Sequence, residues 1–382
     1  GQDQPRRSHN RTVMGNSALI VSQSGGRTPG LRTLISAQGY DPVETIVTDH
    51  PEDGRYYLSP STIDRVADRI AGFDDTYLVV DGDLHPGQAV DLRERFPAAT
   101  VRDRRTAFWE LLSASNPVAA TRLALRQCRI DRRAVAQADR DAAATGPSGS
   151  SGRLAECDRT QDDLQDRLET RQQAASRRVA NDYDGVDGRV VLLSRPGVAT
   201  TDCWAAVTGS VGRRDTATIA GGPTRPITAT AAVGAHTVAV TDTPGIPGDD
   251  GLLPWVEAVV PGVRTAIQQA DLVVGIGSQS DSLVESVAEW ADAVCQQLPE
   301  PDPDAVRTAI DRTLETVAYR LRLPYVDATH ALIADLYDDA LVHDVAYDDS
   351  IHIHVALSTA TVDDVTRQVD TLGGTSQPVD SE

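Results

Sequence analysis

The chain reads as α/β in three parts: an N-terminal parallel-sheet domain with a long helical hairpin, a shortened P-loop-type domain, and a small C-terminal α+β unit. Three observations predict this. Strand-like and helix-like segments alternate from 17 to 96, which implies a parallel sheet covered by helices. Two long helical stretches then flank the Gly/Ser-rich TGPSGSSG at 145–152. Apolar strand-like runs return after residue 188 and again after 318.

Residues 1–16 are polar and read as a tail, with no apolar core of a signal peptide. The N-terminal domain, 17–115, opens with SALIVSQ as a strand, followed by a helix over 30–39. A strand at 43–48, a helix at 61–70, the strand TYLVVD at 76–81 and a helix at 86–96 continue the alternation. The hairpin, 116–183, has a second helix with Cys157, Leu164, Leu168, Ala175 and Val179 near heptad spacing. Strands at 189–193, 236–241 and 271–276 build the P-loop-type domain, 186–299. A helix is expected over 288–298, then PEPDP at 299–303 as a linker. The C-terminal unit, 304–370, contains a strand at 319–323, a helix near 328–338 and the alternating IHIHVAL at 351–357; 371–382 reads as a second tail.

The chain carries 36 basic and 56 acidic residues for a net charge of −20, and every basic residue is Arg. A Lys-free, Asp-rich chain looks adapted to concentrated salt, where screening shortens the reach of self-repulsion to about 3 Å at 1 M. So acidic a chain is not a general polyanion or DNA binder. The cysteines Cys128, Cys157, Cys203 and Cys295 form no C-x-x-C pair, so neither a zinc site nor a disulfide framework is signalled. No run of about 18 apolar residues occurs, so no membrane span is expected. The expectation is a soluble, cytoplasmic protein.

The stretch RVVLLSRPGVATTDCW at 189–204 has the outline of a phosphate loop: an apolar strand, a Pro/Gly turn, then small polar residues entering a helix. Set against G-x-x-x-x-G-K-[ST], it offers Ser194, Arg195, Pro196, Gly197, Val198, Ala199, Thr200 and Thr201, of which only Thr201 fits. Both glycines and the Lys are absent, although the amides after Gly197 could still meet an anion at the helix N-terminus. Alone, this is a structural turn. Downstream, Asp242-Thr243-Pro244-Gly245 follows a strand and suits either a Mg²⁺- and phosphate-contacting loop or a simple turn. Between them, Thr224 in TIAGGPTR is a candidate metal-binding threonine.

HPEDGRYYLSPSTIDRVADRI (50–70), VVDGDLHPGQAVDLRERF (79–96), VRDRRTAFWELL (101–112) and GPSGSSGRLAECDRTQDDLQDRL (146–168) cover the N-terminal domain and hairpin. RVVLLSRPGVATTDCWAAVTG (189–209), TDTPGI and LLPWVEAVVPGVRTAIQQADLVVGIGSQSD (252–281) cover a truncated P-loop GTPase-like domain. Taken in order, these seven stretches resemble the HflX-type ribosome-associated GTPases of the Obg–HflX group. YRLRLPYVDATHALIADLYDDALVHDVAYDDSIHIHV (319–355) is similar to a small domain at the C-terminus of some members.

The resemblance implies GTP bound by 194–201 with Asp242 and Gly245, Mg²⁺ held through Thr201, Thr224 and Asp242, and the ribosome with its large-subunit RNA as partner. Three departures weaken that chemistry. Thr200 replaces the phosphate-binding Lys, Ser194 and Ala199 replace the loop glycines, and the strand carrying the base-reading N-K-x-D looks deleted. Ile246 stands where many GTPases place a water-orienting Gln, although the resembled family itself carries an apolar residue there. Losing one preorganised electrostatic group typically lowers a rate by about 10²–10³. Two functions therefore stand: an HflX-like GTP-binding protein at the ribosome with weak or lost hydrolysis, or a non-enzymatic pseudo-GTPase that keeps the scaffold and binds ribosome or RNA.

Residues 102–140 hold nine arginines against four acids, inside a strongly acidic chain. Arg122, Arg126, Arg129 and Arg133 recur at helical spacing, an expected RNA-phosphate contact or else a solvated face paired to acids of the second hairpin helix. His352 and His354 share a strand face without a third ligand nearby, so they read as a half-exposed strand. Asp81 and Asp83 read as caps before the helix at Pro86. The oligomeric state stays open.

Overall fold

The computed structural model describes residues 16–23, 28–48, 53–73, 75–143, 151–180, 185–210, 218–219, 221–248, 252, 254–359 and 361–379. The expected tail up to residue 15 and residues 145–150 of the Gly/Ser break lie outside them, as does the side chain of Val179, while Ser151 and Gly152 of that break already belong to a helix. The chain divides into two compact units, 1–107 with 126–160, and 108–125 with 161–382.

The first unit is built on β1 (Ser17–Ser22), α1 (Pro29–Ala37), β2 (Asp41–Val47), α2 (Pro60–Ile70), β3 (Thr76–Asp81), α3 (Pro86–Arg95) and β4 (Ala99–Asp103). Its sheet runs β2-β1-β3-β4, parallel throughout. The near-continuous apolar runs LIV and YLVV are what a strand buried on both faces demands. Leu19, Val21, Leu78, Val80, Val66 and Leu92 meet in its core. β4, five residues long with a mixed ATVRD, gave no strand signal in advance. Asp81 and Asp83 do not cap α3. Asp81 pairs with Arg104 and accepts from the Ser22 hydroxyl, and Asp83 pairs with Arg105 at 2.8 Å. The cap is His85, whose Nδ1 accepts from Gly87 N while Gln88 reaches back to His85 N.

Three helices run through both units: α4 (Arg104–Ser113), α5 (Pro117–Ala143) and α6 (Ser151–Ala180). In the second unit α5 and α6 pack through Val118, Leu125 and Leu168, with Leu164 and Ala175 at the edge, as the heptad-like spacing predicted.

The second unit continues with β5 (Gly188–Ser194), α7 (Thr200–Thr208), β6 (Thr218–Ile219), β7 (Gly222–Pro223), β8 (Ile227–Val233), β9 (His236–Asp242), α8 (Pro254–Glu257), α9 (Val263–Gln268), β10 (Leu272–Ile276), α10 (Asp281–Ala288), β11 (Val294–Leu298) and α11 (Pro303–Thr313). Five strands form a sheet in the order β11-β10-β5-β9-β8, with β8 antiparallel and the rest parallel.

Two expectations fail here. The helix expected over 288–298 ends at Ala288, and VCQQL forms an edge strand beside β10. An edge strand needs no apolar run, because one flank and much of its faces stay half-exposed. The C-terminal unit is expected to begin at 304, but 304–313 lie in α11, whose Val306, Ala309 and Ile310 join the core of the five-stranded sheet beside α7, β8, β10 and β11.

The chain ends with β12 (Thr316–Leu323), α12 (Asp327–Asp339), β13 (Leu341–Tyr347), β14 (Ile351–Ser358), α13 (Val362–Thr371) and β15 (Thr375–Pro378). This is a β-α-β-β-α-β module with an antiparallel β13-β14-β12-β15 sheet. The tail expected at 371–382 is therefore ordered through β15, whose polar TSQP pairs with β12 through the backbone alone.

Candidate functional site

The phosphate-loop segment lies where such a site belongs, at the carboxyl ends of parallel β5 and β9 and at the N-terminus of α7. Gly197 supplies the one positive φ of the turn, at 93°. Ser194 ends β5, and its carbonyl accepts from Ile246 N at 2.8 Å.

The loop is closed on itself. Thr200 N donates to Val198 O at 2.9 Å, and Thr201 N donates to Gly221 O at 3.1 Å, so these amides do not face an anion. Gly221, at φ 86°, sits so close that a Cβ on it would lie 2.6 Å from Ala199 Cα. A Cβ on Gly245 would lie 2.6 Å from both Cα and N of Pro196. Two glycines thus pack directly onto the loop where a phosphate chain would need room. The cavity beside Pro196, Gly197, Gly222, Pro223 and Gly245 has about 10 Å³, the space of one water.

Arg195 does not replace the missing lysine. Its side chain is buried to 1% exposure and turned into the protein. Nε donates to Gln279 O at 3.0 Å, Nη1 to the carbonyls of Ile246 and Gly248, and Nη2 to Ser282 Oγ at 2.9 Å. The fork stitches the loops after β5, β9 and β10 together, a task suited to a planar group with five donors.

Asp242 is the chemically distinctive residue. It ends β9, is fully buried, and accepts from the Thr201 hydroxyl at 2.9 Å. Burial pushes its carboxyl up to about 7, against hydrogen bonds from Thr201 and the Thr243 amide that pull it down. The Thr200 hydroxyl pulls the same way from a position outside hydrogen-bond geometry. Ser194 Oγ, Thr200 Oγ1 and Asp242 Oδ1 are buried with no hydrogen-bond partner among the described residues.

One carboxylate and its threonine are the kind of oxygens a hard cation takes, though too few to hold Mg²⁺ without further donors. Thr224, the third expected ligand, is buried and held through its carbonyl, which accepts from Asn116 Nδ2 at 2.8 Å. A nucleoside triphosphate does not fit this loop: the Val198, Thr200 and Thr201 amides are bonded to carbonyls, the lysine is absent, and Gly221 and Gly245 pack on the turn.

The strand that the sequence reading takes as deleted is present as β11, and Pro299-Glu300-Pro301-Asp302 follows it where N-K-x-D was expected. Only Asp302 keeps its residue type, and its carboxylate caps α11 by accepting from Asp304 N and Ala305 N. Asp-Pro at a helix start was the available signal. Asn116 was also missed. It caps α5 through Val118 N and Ala119 N while its amide binds Thr224 O and Val259 O.

The hairpin arginines do not form one open face. Arg126 is in a buried pair with Asp103 and donates to Leu84 O at 2.9 Å. Arg122 donates to Ala258 O at 3.4 Å, and Arg133 lies against Gly87. Of the four, Arg129 alone is exposed. Among the described residues, the ion pair that crosses the hairpin is Arg132 with Asp158, outside the four arginines, and Asp163 pairs with Arg167 on its own helix.

No family model and no curated protein matches the chain. Among solved structures, a GDP complex of SsGBP has a TM-score of 0.43 at 11% identity, covering 78% of this chain and 98% of that one. A GTP-binding protein from the hyperthermophilic archaeon Sulfolobus solfataricus, in complex with GDP, has a TM-score of 0.41 at 11% identity with the same coverage. A likeness at this level leaves the chemistry of the site to the residues themselves. No helix among the described residues is long and apolar enough to cross a membrane.

Proposed function

We propose that this chain is a pseudo-GTPase: an HflX-like scaffold that acts on ribosomal particles or their RNA without turning over GTP. The observation that carries it is the closed loop, in which Thr201 N is bonded to Gly221 O and Gly245 packs on Pro196. The ribosome is the partner that the sequence resemblance implies. The rival, GTP binding with Mg²⁺, draws on the Thr201–Asp242 pair and requires the 221–222 and 245 segments to withdraw from the loop.

Titration of labelled GTP and ATP, with phosphate release measured alongside, separates the two. The expected result is no guanine-selective binding and no release above the background hydrolysis. Micromolar, guanine-selective binding with turnover overturns the proposal. The salt-adapted reading has its own test. The thermal midpoint is expected to climb from dilute to multimolar KCl as the charge of −20 is screened; a flat or falling midpoint refutes it.

A further inference from the structure

We propose that the open end of the helix-free face of the C-terminal sheet binds single-stranded RNA, which names a surface for the RNA-directed scaffold proposed above and rests on that reading. α12 and α13 pack on one face, where Leu321, Leu323, Ile351, Ile353, Val355 and Val369 form the core. On the other, Ala356 and Ser358 are buried at one end, Ser358 bonded to Asp187, while Arg320, Arg322 and His352 are exposed. The alternate strand residues face the other way. On that side two rungs cross the sheet: Gln377–Arg320–His354–Asp344 and Thr375–Arg322–His352–Ala346.

Charge is unevenly placed, and Asp344 is the one acid on the two rungs. Residues 316–379 contain ten acids and three arginines, and nine of those acids lie on the two helices and the β13–β14 turn. Two of the three arginines and three of the four histidines lie on strands. Arg320 and Arg322 are exposed, and no ion pair to either occurs among the described residues. Arg322 instead donates to Ser350 Oγ at 2.8 Å, which also meets His352 Nε2 at 3.0 Å, so this rung is held in place.

The rings complete the surface. His343, at a bulge in β13, lies with its centroid 5.1 Å from His354, tilted by 44°. Single strands are recognised by stacking bases on aromatic rings or guanidinium planes while arginines take the phosphates. A ring pair flanked by two arginines, in a chain that is otherwise acidic, has that complementarity. An acidic protein segment could satisfy the arginines but has no use for the ring platform.

The test uses the full chain and a fluorescein-labelled single-stranded 12-nucleotide RNA. Anisotropy is followed at stepped KCl, down to the lowest concentration at which the protein stays folded. Binding is expected, with Arg320→Ser/Arg322→Ser losing at least about tenfold in affinity and the salt slope falling by about 0.7 per arginine. Arg320→Ser alone, at a side chain with no hydrogen bond or ion pair among the described residues, guards against misfolding and is expected to weaken binding several-fold. His354→Ala is expected to weaken binding without changing the salt slope. Arg367→Ser, on the helical side, is expected to bind like the parent. Failure of the parent to bind, equal binding by all variants, or tighter binding of oligo-glutamate than of RNA overturns the inference. Co-sedimentation of the double variant with ribosomal particles keeps the two proposals apart. Retained pelleting without oligonucleotide binding discards the sheet face and leaves the scaffold reading standing, whereas GTP turnover discards that reading alone.

Discussion

Two buried aspartates end two parallel strands, and their surroundings differ in a way that separates structure from function. Asp103, at the end of β4, meets the Arg126 guanidinium and accepts from Leu84 N and Thr106 N, at 3.2 and 2.7 Å. Asp242, at the end of β9, meets the Thr201 hydroxyl and the Thr243 amide, and its Oδ1 has no hydrogen-bond partner among the described residues. The first carboxylate is satisfied by the fold. The second is left unsatisfied by it, with its carboxyl pushed up to about 7. A folded chain seldom keeps such a group for stability, because an uncompensated buried charge opposes folding.

The largest effect is expected where the pair is complete. Arg126→Ala strands Asp103 as an unpaired buried charge and is expected to destabilise the first unit by roughly 3–5 kcal/mol. Denaturant unfolding followed in parent and variant measures this. A change under about 1 kcal/mol would mean that the pair is equivalent to a surface contact and the contrast with Asp242 collapses.

Asp242→Asn sharpens the contrast by its dependence on pH. The carboxyl has its ordinary value of 3.8 unfolded and about 7 folded. The folded state therefore holds the proton more tightly, and the parent loses stability as pH rises from about 4 through 7. The Asn variant lacks that loss. Its advantage over the parent is expected to be near zero at pH 4, to grow to the order of a few kcal/mol by pH 8, and then to level off. Thermal midpoints of both proteins across that range decide it; a pH-independent difference contradicts the burial of an ionisable group.

Thr201→Val gives the smallest change. It removes the hydroxyl that donates to Asp242 Oδ2 and is expected to lower stability at pH 8 by about 1 kcal/mol. At pH 5 the effect should be smaller, since the protonated carboxyl needs that donor less. Equal losses at both pH values would show that Thr201 matters for packing and not for the carboxylate.

Much of this architecture was legible in residue order. The apolar runs of β1, β3, β5 and β10 declare buried strands because a strand covered on both faces has no polar side to show. The missing lysine and the replaced loop glycines at Ser194 and Ala199 are plain in the letters, as is the proximity of Thr201 and Asp242 once the two motifs are placed on neighbouring strands. The edge strands β11 and β15 were not legible. Polar half-exposed segments pair through their backbones, and backbone pairing leaves no mark on side-chain pattern.

Sequence by itself determined the α/β class, the alternation of elements and the loss of the lysine, because each follows from which side chains are present and at what period. Tertiary structure alone decided what the arginines do. Spacing put Arg122, Arg126, Arg129 and Arg133 on one helical face, yet Arg126 is buried against Asp103 and Arg195 is spent on the carbonyls of Ile246, Gly248 and Gln279. A guanidinium's role depends on which oxygens the folded chain brings within about 3 Å of it, and those oxygens come from residues 23 to 84 positions away in sequence.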